Sequence, residues 1–237
     1  MLTSWTKGLH PDQMREVDRL AEADYGLGTM MLMEVAGLCA ARVARDLLAT
    51  PLGGRAVSIL AGPGNNGGDG LVAARRLAGW GAEVSVITSY DLDQVRGASD
   101  AQLEATTAAG VPASAWSGEL TPADLYIDAL LGYGASGAPR GAIAEIIAAL
   151  NRAGQPVLAL DVPSGLDAAT GWAEGEAVVA TATITLGLAK SGLLMEQARS
   201  LVGVLYLGDI GIPRPLLASL GVDVEGLFEE DDIVKLV

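Results

Sequence analysis

The stretch Arg55-Ala56-Val57-Ser58-Ile59-Leu60-Ala61-Gly62-Pro63-Gly64-Asn65-Asn66-Gly67-Gly68-Asp69-Gly70-Leu71-Val72-Ala73-Ala74-Arg75-Arg76-Leu77-Ala78 changes character twice. Residues 55–61 are a short apolar run, which reads as a buried strand. Residues 62–69 are a turn of glycine and asparagine. Gly70 to Ala78 reads as a helix, stopped by Gly79 and Gly81. The same alternation continues downstream. Strands are expected at Glu83–Thr88, Asp124–Asp128, Pro156–Asp161, Thr181–Leu186 and Val202–Leu207, with helices at Gln94–Ala109 and Ala142–Ala153. Upstream, apolar residues at helical spacing predict one helix from Pro11 to Ala23 and a second from Thr29 to Leu48. Strands alternating with helices of this length predict an α/β fold. Its mostly parallel sheet would be covered on both faces as a three-layer α/β/α sandwich, with right-handed crossovers. No linker, repeat or low-complexity tract divides the chain, so residues 1–237 read as one domain with a helical N-terminal segment at about 11–49.

The 237 residues are 50% hydrophobic, enough for a substantial core and too apolar for disorder. Acidic residues outnumber basic ones by 29 to 15, and the formal charge of −14 argues against nucleic-acid binding, which needs a basic footprint. One cysteine, Cys39, rules out an intrachain disulfide and reads as a small buried hydrophobe in a reducing, cytoplasmic setting. One histidine, His10, speaks against a histidine metal cluster or a Ser-His-Asp triad. The most apolar window, Gly26 to Ala41, is broken by Glu34 and glycines and falls short of the ~20 residues a membrane span needs.

Within the turn, Gly62, Gly64 and Gly67 match G-x-G-x-x-G, which lets a backbone approach a phosphate at a helix start. The acid that would hold a ribose is missing, because the next strand ends Ile87-Thr88-Ser89, and this disfavours an ordinary nicotinamide dehydrogenase. No Gly-Lys-Ser/Thr follows, which weakens a phosphate-loop hydrolase. Asn65, Asn66 and Asp69 could offer oxygens to a ligand, or simply form a tight turn with an Asp cap. Ligands of open parallel sheets bind beyond the carboxyl ends of the strands. Two more oxygen-bearing groups fall there. Asp128 ends one strand and precedes the loop Gly132-Tyr133-Gly134-Ala135-Ser136-Gly137-Ala138, a possible anion nest; Asp161 ends the next, followed by Pro163 and Ser164. Asn66, Asp128 and Ser164 would suit a hard cation.

The motifs Gly64-Asn65-Asn66-Gly67-Gly68-Asp69-Gly70, Asp128-Ala129-Leu130-Leu131-Gly132 and Asp161-Val162-Pro163-Ser164-Gly165-Leu166 together resemble the NAD(P)H-hydrate epimerases, the YjeF N-terminal domain family. The resemblance runs from about Pro11 to Gly211. It implies a Rossmann-like homodimer that interconverts the R and S hydrates of NADH and NADPH. It also implies a partnership with an NAD(P)H-hydrate dehydratase; no nucleic acid and no membrane are expected as partners, on the charge and hydropathy given above. It assigns potassium to Asn66, Asp128 and Ser164, and substrate to Asn65, Asn66, Gly67, Gly68, Asp69, Gly132, Tyr133, Gly134, Ala135, Ser136, Gly137, Ala138 and Asp161. Asp161 is the expected proton-transfer group. Lys190 matches a family lysine of undefined role, Val35 stands where the family often has Asn, and Tyr133 where it often has Thr. The competing expectation is a catalytically silent interaction module on the same scaffold.

Overall fold

The computed structural model describes residues 3–49, 51–93 and 97–236. After a two-residue strand β1 (Thr3–Ser4), helix α1 (Pro11–Tyr25) starts with Pro11 in its first turn. His10 caps it: its ring accepts from Asp12 N–H, and Gln13 accepts from His10 N–H at 3.0 Å. Helix α2 (Thr29–Leu48) follows. The alternation then runs through β2 (Ala56–Ala61), α3 (Asn65–Gly79), β3 (Glu83–Thr88), α4 (Ala98–Ala108), β4 (Ala113–Ala115), β5 (Leu125–Ala129), α5 (Gly141–Ala153), β6 (Val157–Leu160) and β7 (Ala182–Leu186). The last elements are α6 (Arg199–Val202), β8 (Val204–Gly208), α7 (Arg214–Ser219), β9 (Val222–Asp223) and β10 (Ile233–Lys235).

The main sheet has the order β10-β8-β7-β6-β5-β2-β3-β4. Every pairing is parallel except the edge pair of β10 with β8. A separate two-stranded parallel sheet joins β1 to β9. Strand side chains alternate between the two faces. Val57, Ile59 and Ala61 of β2, with Leu125 and Ile127 of β5, pack under α2 and α3. Leu60 and Tyr126, pointing the other way, pack under Ile146, Ile147 and Leu150 of α5. The three-layer expectation therefore holds. Each fully buried Ile or Leu contributes about 1.5–3 kcal/mol relative to exposure, so the two faces supply most of the driving force.

Several boundaries differ from the expectation. Helix α3 begins at Asn65, not Gly70, so most of the glycine-rich turn is its first turn and a half. Two of its glycines are forced by packing. A Cβ on Gly62 would run into the carbonyl of Leu130, and one on Gly67 into the carbonyl of Gly62. β6 ends at Leu160, because Asp161 has φ +67°, outside the strand region. Val202 belongs to α6, and Gly203 turns the chain at φ +63° before β8. The expected helix start at residues 94–96 lies outside the described residues. The short β4 and the antiparallel β10 were not anticipated.

The order has one switch. From β2 the chain moves outward to β3 and β4, then returns to place β5 on the other side of β2 and proceeds to β6, β7 and β8. A crevice forms where the strand order reverses, beyond the carboxyl ends of β2 and β5. Among the described residues no helix is long and apolar enough to cross a membrane.

Candidate active site

A cavity of about 570 Å³ opens at this switch point, within the size range of ligand pockets. One wall is helical, with Arg15, Asp18 and Arg19 from α1 and Met33 from α2. The opposite wall is the β2–α3 turn and the loop after β5; Asp161 and Lys190 complete it.

The N-terminus of α3 faces this space. Gly64 is its N-cap and has no side chain to satisfy the first N–H groups, and a Cβ there would meet open space. These donors and the helix dipole favour an anion. The turn is braced from outside by Ser99 Oγ, which donates to the Gly64 carbonyl at 2.9 Å.

Asp161 is held on both of its carboxylate oxygens. It is 5% exposed. Lys190 Nζ donates to its Oδ1 at 2.6 Å, and the Tyr133 N–H donates to its Oδ2 at 2.9 Å. Lys190 is 1% exposed and also donates to the Leu186 carbonyl at 2.9 Å and Thr185 Oγ1 at 3.3 Å. Its ammonium lies 5.2 Å from the centre of the Tyr133 ring. The left-handed backbone of Asp161 costs of order 1 kcal/mol or more and persists only where the surroundings enforce it, a pattern concentrated at functional sites. Two further carboxyls share the cavity. Burial, followed by the charge of Asp161, pushes Asp69 well above the usual carboxylate range. Burial likewise raises Asp18, opposed by the hydrogen bond it receives from the Tyr133 hydroxyl.

Behind the loop after β5 lies a second polar knot. Asp128 is fully buried; Ser164 Oγ donates to its Oδ1 at 2.6 Å, Ser164 N–H to its Oδ2 at 2.8 Å, and Leu130 N–H to Oδ1 at 3.2 Å. Ser164 Oγ in turn accepts from Leu131 N–H at 2.9 Å. Burial, partly offset by the Ser164 bonds, pushes the Asp128 carboxyl up to about 6. Asn66 is 8% exposed, and neither atom of its amide finds a partner among the described residues. The two knots meet at Gly132: a Cβ there would lie 3.2 Å from Asp161 Oδ2 and 3.3 Å from Asn66 Cβ.

The residues singled out in the sequence thus separate. Asn65, Asn66, Asp69, Gly132, Tyr133, Gly134, Ala135 and Asp161 line the cavity. Gly67 and Gly68 are buried in α3. Ser136 and Gly137 border a small crevice beside Pro163 and Asp167, and Ala138 packs near Gly175. The anion nest expected after β5 is reduced, since Tyr133 N–H is bonded to Asp161 and Ala135 N–H to the Gly132 carbonyl. Sequence reasoning gave Lys190 no role; it is the counter-ion of Asp161. The only signal was a lysine in the apolar run Leu188-Ala189-Lys190, where an unpaired charge would be too costly to bury.

Fold and site define a doubly wound α/β protein with a ligand cleft at its topological switch point. The family model described as "YjeF-related protein N-terminus" matches residues 29–192, and the chain belongs to that family. An NAD(P)H-hydrate epimerase of Dehalogenimonas lykanthroporepellens is 41% identical over 213 residues, covering 88% of this chain and 84% of the relative. A bifunctional NAD(P)H-hydrate repair enzyme Nnr of Moorella thermoacetica is 39% identical over 216 residues; the match covers 87% of this chain and 41% of that longer protein. The crystal structure of the yeast protein ynu0, YNL200c, shares the fold with a TM-score of 0.82 at 24% identity, covering 96% of this chain and 98% of the yeast chain.

Proposed function

We propose that this chain is an NAD(P)H-hydrate epimerase, interconverting the R and S forms of hydrated NADH and NADPH in nicotinamide nucleotide repair. One observation carries the reading: the loops after β2, β5 and β6 meet at a single cavity with the buried Asp161–Lys190 pair in its wall. The names of relatives near 40% identity support it.

The substrate's hydrated carbon bears a hydroxyl beside the ring nitrogen. Protonation of that hydroxyl lets the carbon–oxygen bond break as the nitrogen lone pair forms a C=N bond, and water leaves. Water then adds to the opposite face of the planar cation and loses one proton, so the balance is one proton in and one out. Asp69, a cavity-lining carboxyl that burial and the charge of Asp161 raise above the usual carboxylate range, is the group we assign to donate the first. Asp161, paired with Lys190, accepts the second and offers negative charge to the cation. Two carboxyls with environments this different suit opposite roles. Positioned proton transfer contributes ~10²–10⁴-fold. The free N–H groups of α3 would take the substrate's phosphates.

The residues fit a potassium ion. Asp128 is a buried carboxylate, Asn66 a buried amide with no partner among the described residues, and Ser164 a hydroxyl hydrogen-bonded to Asp128. A cation held by these three would supply a fixed positive charge that offsets the burial of Asp128 and ties the loops together. A homodimer is supported by Met30, Met31 and Val35, which α2 leaves exposed. The fused relatives support a dehydratase as the functional partner, and the single buried cysteine a reducing, cytoplasmic setting.

The test is direct. Pure S hydrate, or pure R hydrate, is incubated with the protein and its isomer purity followed by chromatography. Loss of purity well above the buffer rate supports the epimerase; the buffer rate leaves the silent scaffold.

A further inference from the structure

Tyr133 makes three contacts, two of which belong to one circuit. Its N–H donates to Asp161 Oδ2 at 2.9 Å, Asp161 Oδ1 accepts from Lys190 Nζ at 2.6 Å, and that ammonium sits 5.2 Å from the centre of the Tyr133 ring. The ring therefore covers the cation that its own backbone partner is paired with. The phenol leaves the circuit and donates to Asp18 of α1, the helix that forms the cavity's far wall. The chain just before α1 is tied to the same place, since Leu9 N–H donates to the Ala189 carbonyl and Ser191 N–H to the Leu9 carbonyl, both at 2.8 Å. Helix α1 is thus fastened to the Asp161–Lys190 pair twice: through the backbone flanking Lys190, and through Tyr133.

We propose that Tyr133 is a positioning residue that makes the placement of α1 over the cavity and the orientation of the Asp161–Lys190 pair a single linked state. The inference rests on the epimerase reading. A side chain without a ring and a distal hydroxyl could hold neither the ammonium face nor α1. The phenol acts on the wall, hence on how well substrate is held, whereas the ring acts on the reacting pair.

The two parts separate by substitution. Tyr133→Phe keeps the ring and backbone but loses the bond to Asp18; it should raise KM about tenfold with kcat within about threefold of the parent. Asp18→Ala should do the same, Asp18→Asn should restore the parental KM because its amide oxygen still accepts, and the double variant should lose no more than either single change. Tyr133→Leu, which removes the π face, should lower kcat about tenfold as well. Parental constants for Tyr133→Phe, or effects that multiply in the double variant, would overturn the proposal. A second readout needs no activity. Amide hydrogen exchange over residues 14–20 should quicken in Tyr133→Phe, and unchanged exchange there also overturns the linkage. If the parent does not epimerise the hydrate, the functional reading fails while the exchange data still decide the linkage.

Discussion

At the scale of single residues, Asp161 and Lys190 give the sharpest expectations. Asp161→Asn suits the backbone, because Asn tolerates a positive φ as Asp does, whereas Ala would add strain to the chemical loss. Its saturating epimerisation rate should fall ~10²-fold or more, with dinucleotide affinity changing much less. A normal rate with weakened affinity would make Asp161 a ligand contact only. Removing the partner cation has a different signature. Lys190→Met leaves a carboxylate 5% exposed without its counter-charge and should cost about 3–5 kcal/mol in urea unfolding. Adding Asp161→Asn to that variant should return part of the loss, since no bare charge then remains; a double variant less stable than Lys190→Met would contradict this. Asp161 was legible in the sequence as an acid at a strand end. Its pairing was not, because Lys190 lies 29 positions away, and only the packing of β6 against β7 brings the two together.

The element whose reading most needed the structure is α3. Five glycines and two asparagines carry poor helix propensity, so the motif reads as a turn up to Gly70. The backbone is nevertheless helical from Asn65, because Gly67 and Gly62 pack where no Cβ fits and tertiary contact overrides propensity. Two substitutions expose this competition. Gly79→Ala, in the last turn with nothing within 4 Å of the added Cβ, should stabilise by about 0.5–1 kcal/mol. Gly67→Ala gains the same propensity but drives its methyl into the Gly62 carbonyl, and should destabilise by about 1–3 kcal/mol. Thermal or denaturant midpoints moving in the same direction for both would mean that propensity, not packing, governs the motif. The long periodic helices α1 and α2 were legible throughout, since their patterns depend on neighbours within the same element.

For the whole molecule, strand order was the part sequence could not supply. Alternation predicts a parallel sheet, but β5 returning beside β2 depends on pairing between residues about 70 positions apart. That return is what brings Asn66, Asp128 and Ser164, at or just beyond the ends of β2, β5 and β6, to one edge of the sheet. If these hold potassium, the ion should stabilise the assembled sheet edge. Replacing potassium with tetramethylammonium at constant ionic strength should lower the unfolding midpoint and weaken hydrate binding, and Asp128→Ala should abolish the difference between the two salts. Equal midpoints in both salts for the parent would remove the metal assignment.

The pairing of β1 with β9 and the packing of α1 against Leu188, Leu207, Leu216, Leu217 and Val222 have a consequence for biosynthesis. Translation delivers α1 before every strand of the main sheet, yet the surface it docks on is not complete until the ribosome has passed Val222. A nascent chain extended to Leu160 can already pair β2, β3, β5 and β6, but its first helix has no seat and exposes Met14, Val17 and Ala21 to the chaperones around the exit tunnel. The cavity therefore acquires the α1 part of its helical wall only after the strands around it are in place, and a shorter nascent chain leaves that side open.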